Sequence, residues 1–192
     1  MTFIKWSLSF LASLLLVVAG GCVTGPEWQR TTGEEEVHDE AGYSVTLPAG
    51  WFWMRKDANS PMIATHDGPD LQAIRVFHRD HGKAFPNIGQ ASSPDMQPRE
   101  LAELFVAEVR KEHGFGSLEV LENAPAEFGG AAGFRIKVEW RDESGVRYHG
   151  LVYGCATEEG FYVMYYHAPR LHYYAASEPI FESAVDSFHF VS

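Results

Sequence analysis

The sequence predicts an α+β domain built around an antiparallel sheet. Three apolar runs of strand character, 132–141, 146–156 and 161–168, are separated only by Asp142-Glu143-Ser144-Gly145 and Thr157-Glu158-Glu159-Gly160, which read as four-residue hairpin loops. A stretch at 98–113 carries Leu101, Leu104, Phe105 and Val109 on one helical stripe, and a second at 178–188 repeats that spacing with Phe181, Ala184, Val185 and Phe188.

The chain opens with a segment outside that fold. Residues 1–5 form a short basic region, 6–18 an apolar run, and Ala19-Gly20-Gly21 a stretch of small residues before Cys22, the anatomy of a secretory signal. The apolar run is shorter than the roughly 20 residues that span hydrocarbon and has no basic stop-transfer flank, so a permanent transmembrane helix is the weaker reading. The cysteine directly after the small residues resembles the lipobox of bacterial lipoproteins, with Ala19 where that pattern usually has Leu. The resemblance implies removal of residues 1–21 and acylation of the Cys22 thiol and amine by fatty chains of the palmitate kind. Because Val23 rather than Asp follows, it also implies a periplasm-facing place at the outer membrane. Each buried CH₂ contributes about 0.8 kcal/mol, so three chains hold durably where one does not. An ordinary cleavage site with a coincidental cysteine is the alternative.

Charge narrows the partners. Loss of a leader whose single charge is Lys5 leaves 14 basic residues against 26 acidic ones, a mature chain near −12. Such a surface repels phosphate backbones and anionic headgroups, which argues against nucleic acid and polybasic membrane adhesion. Hydrophobic content of 45% and aromatic content of 14% supply the apolar surface that a disordered chain lacks. Two cysteines are too few for a disulfide framework or a cysteine-based zinc site. With Cys22 acylated, Cys155 lies within an apolar strand and reads as a buried small hydrophobe rather than a nucleophile.

After Cys22, residues 23–33 lack apolar periodicity and read as a tether, and Glu34, Glu35, Glu36, Asp39 and Glu40 as a solvated acidic edge. The division is therefore a leader at 1–21, a lipidated cysteine with flexible tether at 22–40, and a folded domain at 41–192. Tyr43-Ser44-Val45-Thr46-Leu47 alternates as a strand and ends at Pro48-Ala49-Gly50. Short strands follow at 62–65 and 73–78 around a turn-forming His66-Asp67-Gly68-Pro69-Asp70. Residues 82–98 form a loop long enough to be functional or mobile. Pro98 suits the first turn of the first helix, and Gly114 ends it. A weak strand at 118–121 leads to the meander.

Without a bulge, Arg141 faces Val146 and Ala156 faces Phe161. That register puts Phe134, Ile136, Val138, Trp140, His149, Leu151, Tyr153, Cys155, Tyr162, Met164 and Tyr166 on a core face. Arg135, Lys137, Val152, Val163, Tyr165 and His167 fall on a mixed one. The second helix, with Pro179 in its first turn, closes the chain.

This order, with Tyr43-Ser44-Val45-Thr46-Leu47-Pro48-Ala49-Gly50-Trp51 at its start, Tyr162-Val163-Met164-Tyr165-Tyr166 in the meander and Ser187-Phe188 at its end, resembles the PsbP-like and DcrB-like family of small extracytoplasmic proteins. The resemblance covers 41–191 and implies an antiparallel sheet of about six strands packed between helices, an α/β/α sandwich. It implies binding or assembly rather than catalysis, as in the photosystem II extrinsic subunit and a eukaryotic relative that binds a small GTPase. The family has no shared active-site motif, so it carries no residue over.

Motifs for chemistry are few. Gly114-Phe115-Gly116-Ser117-Leu118 fails the serine elbow, and Gly129-Gly130-Ala131-Ala132-Gly133 lacks the spacing of a dinucleotide loop, so neither enzyme activity nor a cofactor is expected. His167 and His172 lie among Tyr165, Tyr166, Tyr173 and Tyr174, and Tyr165, His167, His172 and Tyr173 are the candidate surface for a partner or ligand. Tyrosine gives contact area at low entropic cost, although core packing explains many such residues equally. The expected function is a lipid-anchored, non-catalytic envelope domain that binds a protein partner or small ligand. The alternative is a metal-binding module: His78 and Asp80 share a strand face with His81 just beyond, a spacing that suits transition-metal chelation but also arises when surface histidines cluster by chance.

Overall fold

The computed structural model describes residues 27–57, 59–112 and 117–191. Eight strands make one antiparallel sheet. They are β1 (Gln29–Arg30), β4 (Phe52–Met54), β5 (Met62–Thr65), β6 (Ala73–Arg79), β7 (Glu119–Phe128), β8 (Ala131–Arg141), β9 (Arg147–Thr157) and β10 (Gly160–Pro169), in the spatial order β1-β4-β5-β6-β10-β9-β8-β7. A three-stranded sheet, ordered β11-β3-β2, combines β2 (Glu35–His38), β3 (Tyr43–Thr46) and β11 (His189–Phe190). Helix α1 (Pro98–Glu112) covers one face of the large sheet, and α2 (Ala175–Asp186) with the small sheet covers the other. Each face has its own core. Phe85, Leu101, Phe134, Ile136, Phe161 and Val163 are buried under α1, while Tyr43, Met62, Leu151, Met164, Tyr166 and Phe181 are buried on the α2 side.

Covering both faces corrects the expected strand facing. Ala156 does pair with Phe161, but Arg141 pairs with Arg147 rather than Val146. The first hairpin loop holds one residue more than expected: Asp142 N–H donates to Val146 O at 3.0 Å, Val146 N–H donates to the Asp142 carboxylate at 2.8 Å, and Gly145 takes φ +84°, a conformation open to glycine. A slip of one residue turns the whole of β8 over. Phe134, Ile136, Val138 and Trp140 therefore lie with Val152, Val163 and Tyr165 beneath α1. Arg135 and Lys137 face α2, where Arg135 bonds Tyr153 Oη at 2.9 Å and Glu182 at 3.2 Å, and Lys137 bonds Glu178 at 2.9 Å.

Other expectations also change. The large sheet has eight strands rather than about six. The tether expected over 22–40 is already part of the fold by residue 29: β1 pairs with β4, and β2 pairs with β3 over Glu35–Thr46 to His38–Tyr43. These segments hold through backbone pairing, and apart from buried His38 their side chains are largely exposed and mostly polar, which gives no apolar period. The weak strand at 118–121 is the start of the ten-residue β7, which tolerates Pro125 because it lies at the sheet edge and has a register shift between Val120 and Glu122. Helix α2 begins three residues before Glu178, leaving Pro179 inside it. Residues 82–98 are packed rather than loose: Ala84 and Phe85 are fully buried and Phe85 bridges Gln90.

Candidate functional site: a cleft beside α1

The fifteen residues of α1 cover only part of the sheet beneath them. Its apolar stripe, Leu101, Ala102 and Phe105, packs with Phe134, Ile136 and Phe161. Beyond that contact, where β6 begins and β10 ends, a cleft of about 490 Å³ remains open. Its floor comes from four neighbouring strands: Arg75 and Phe77 of β6, Tyr165 and His167 of β10, Tyr148, Gly150 and Val152 of β9, and Val138 and Trp140 of β8. Val106, Glu108 and Val109 of α1 form one wall, and Pro69, Asp70 and Asp142 stand at the margins.

Strand alternation places these side chains. In Ala73-Ile74-Arg75-Val76-Phe77, Ile74 and Val76 enter the α2-side core, which turns Arg75 and Phe77 to the cleft. Trp140 pairs across from Tyr148, and their rings stack at 5.5 Å with an 18° interplanar angle. His167 continues the aromatic surface, with its ring centroid 6.2 Å from Trp140 and 6.4 Å from Tyr148. Gly150 keeps the floor flat, since a Cβ there would lie 2.9 Å from Val138 Cγ2 and 3.1 Å from Trp140 Cζ3.

The charges are unevenly matched. Arg79 is committed: it donates to Ala84 O at 2.9 Å and to buried Glu108 at 3.5 Å, and lies 4.8 Å over the Phe77 ring. Arg75 is not, because its Nε is buried with no hydrogen-bond partner among the described residues. Burial lowers the His167 pKa to about 4, helped by the Arg75 guanidinium, while a hydrogen bond with the Pro69 backbone and the charge of Asp70 act the other way. The imidazole is therefore neutral near pH 7. Burial, then Asp142 and Asp70, raise the Tyr148 pKa. The arrangement offers apolar rings, a half-buried guanidinium without an ion pair among the described residues and neutral polar groups, which suits recognition.

The structure divides the candidate surface. Tyr165 and His167 line the cleft, whereas His172 and Tyr173 lie in the Arg170–Tyr174 turn that leads into α2, and Tyr173 packs on the α2-side core. His172 has φ +73° and ψ −60°, the strained γ-turn region. His78, Asp80 and His81 are not brought together. The His78 ring stacks on Tyr162 at 4.5 Å and its Nε2 meets Glu159 O at 3.1 Å. Both His81 nitrogens are engaged, by Ser92 Oγ at 2.8 Å and Thr157 O at 2.9 Å, and Asp80 pairs with Lys83 at 3.4 Å. Among the described residues no group of three or more His, Cys, Asp or Glu side chains is placed to hold a metal ion. Cys155 is fully buried, and burial pushes its thiol up to about 12. Cys22 lies outside the described residues.

Sequence reasoning missed Arg75, Phe77, Trp140 and Tyr148. The signal for Arg75 was a lone charge in the centre of an apolar strand. Trp140 required the β8–β9 register, which the extra loop residue concealed, whereas Tyr148 shares the face of Tyr165 and His167 through the β9–β10 register expected from the sequence.

No family model matches the chain, and no curated protein matches it. Solved structures do. The cyanobacterial PsbP of Synechocystis sp. PCC 6803 superposes with a TM-score of 0.60 at 13% identity, covering 91% of this chain and 98% of that one. The Ran-binding protein Mog1p of Saccharomyces cerevisiae gives 0.57 at 13% identity over 83% of this chain and 95% of its own. At such identities the likeness is one of architecture, and the architecture of this chain is the PsbP-like fold.

Proposed function

We propose that the protein is a non-catalytic binding domain of the cell envelope, held at the membrane by lipid on Cys22, which receives a small ligand or part of an envelope protein partner in the cleft beside α1. The observation that carries this reading is the cleft itself. Its volume of about 490 Å³ lies in the range of small-molecule sites, and its floor sets aromatic rings beside Arg75, a cation with no ion pair among the described residues. A fold shared with a Ran-binding protein supports binding as the kind of work this architecture can do. No helix among the described residues is long and apolar enough to cross a membrane, which is compatible with attachment through the N-terminal segment.

Native mass spectrometry of the full-length protein, extracted from membranes in mild detergent, tests the cleft. A bound species is expected on the wild type and absent from Val109→Trp, which fills the cleft from its half-buried helix wall. Equal retention by both proteins contradicts the assignment. For the anchor, Cys22→Ser is expected to leave the membrane fraction, and a variant that still sediments with membranes contradicts lipidation.

A further inference from the structure

Arg75 is an anomaly in an acidic protein. The chain has 26 acidic and 15 basic residues, yet no carboxylate among the described residues forms an ion pair with this half-buried guanidinium, and its Nε donor is buried without a partner. Buried donors are normally satisfied, and each one left unmet is costly. Nε itself lies below the surface, so a ligand in the cleft meets the remainder of the half-buried guanidinium, a planar fork that takes a carboxylate through two parallel hydrogen bonds. Resting on the binding role proposed above, we infer that the cleft recognises a hydrophobic monocarboxylic acid, with its carboxylate on Arg75 and its apolar body against Phe77, Val138 and Val152.

The surroundings select that class of anion. Arg79, the other cation of the cleft, is already held by Glu108. His167 adds no positive charge near neutral pH, and Asp70 and Asp142 stand at the margins. One guanidinium facing two peripheral carboxylates accommodates a single negative charge and repels a second, so a carboxylate fits better than a phosphate dianion. The apolar body follows from the lining: Val106 and Val109 on the wall and Phe77, Val138 and Val152 on the floor leave a slot in which Gly150 carries no side chain.

The test uses full-length protein in detergent micelles, titrated calorimetrically with 2-naphthylacetate, 2-naphthylacetamide and 2-naphthyl phosphate after subtraction of micelle blanks. The acid is expected to bind at least about tenfold more tightly than the amide or the phosphate. Arg75→Met should bring the acid down to the level of the amide, and Arg75→Lys, which keeps the charge without the planar fork, should recover only part of the loss. Thermal melts of both variants establish that they are folded. Equal binding of acid and amide, lost together in Val109→Trp, overturns the carboxylate assignment and leaves the cleft as a binding site. Tighter binding of the phosphate also overturns that assignment. If none of the three probes binds the wild type, both this inference and the cleft as a small-molecule site fail.

Discussion

The Glu108 carboxylate holds Asn87 by two donors: the Asn87 backbone N–H is shared between its two oxygens at 3.0 and 3.2 Å, and the Asn87 side-chain amide donates to it at 2.8 Å. It also accepts Ile88 N–H at 3.2 Å and Arg79 at 3.5 Å while being only 2% exposed. One buried side chain of α1 thus fixes the loop before the helix and neutralises Arg79, leaving Arg75 as the unmatched cation of the cleft.

Glu108→Ala removes the acceptor and strands several donors with the Arg79 charge. The expected loss is about 3 kcal/mol of unfolding free energy in urea titration, with a smaller loss for Glu108→Gln, which keeps one carbonyl oxygen. A loss under about 1 kcal/mol for the alanine variant contradicts the clamp role.

Gly154 is a packing requirement beneath α1. A Cβ at this position would lie 2.5 Å from Phe134 Cζ and 2.9 Å from Phe134 Cε1, and Phe134 is fully buried. Gly154→Ala is expected to destabilise the protein by roughly 1–3 kcal/mol through overpacking, read as a lower melting temperature. Gly68→Ala is expected to show a milder loss, because that position has open space around it and only its φ of +111° to strain.

His38 makes stability depend on pH. It is buried in β2 with its ring 4.8 Å from Tyr43 and 5.3 Å from Trp53, and its Nε2 has no partner among the described residues. Burial, then the nearby Arg55 charge, lowers its pKa from 6.5 to about 4. The unfolded chain therefore binds the proton first as pH falls. The contribution is fully present above pH 6.5 and is lost between there and about pH 4, on the order of 2 kcal/mol. His167 acts in the same direction over the same window. Unfolding free energies measured from pH 7.5 to 4.5 should fall less steeply for His38→Phe than for wild type, and identical slopes contradict this account.

Thiol counting probes both cysteines at once. The buried Cys155 thiol, with its pKa raised to about 12, should not react with a disulfide reagent in the native protein. In denaturant, full-length protein purified from membranes should release one equivalent if Cys22 is acylated and two if it is not.

Much of the fold could be read in advance because long strands and amphipathic helices carry strong periodicity. The three meander strands, α1 and the second hairpin register follow from alternation and turn composition. Pairings with little side-chain signature did not show. Residues 29–30 and 35–38 join their sheets through backbone pairing, with His38 the one buried side chain among them, and β7 looked weak because Pro125 and its glutamates are tolerated only at an edge. The loop closed by Val146 had the larger effect. Its extra residue moved Val138 and Trp140 to the same face as Tyr165 and His167, so the β8 part of the cleft floor was hidden by a single register step. Tyr165 and His167 were visible because aromatic and imidazole groups are concentrated there. His172 and Tyr173, adjacent in sequence, belong to the other side of the sheet.

The most direct test of the binding cleft is site-specific photocrosslinking in intact cells, with a photoreactive phenylalanine replacing the exposed Asp70 at the cleft margin or Leu121 on the exposed edge strand β7. The account predicts a reproducible, saturable adduct from position 70, reduced by Arg75→Met, and none from position 121. Adducts of equal yield from both positions, or from position 121 alone, would contradict it.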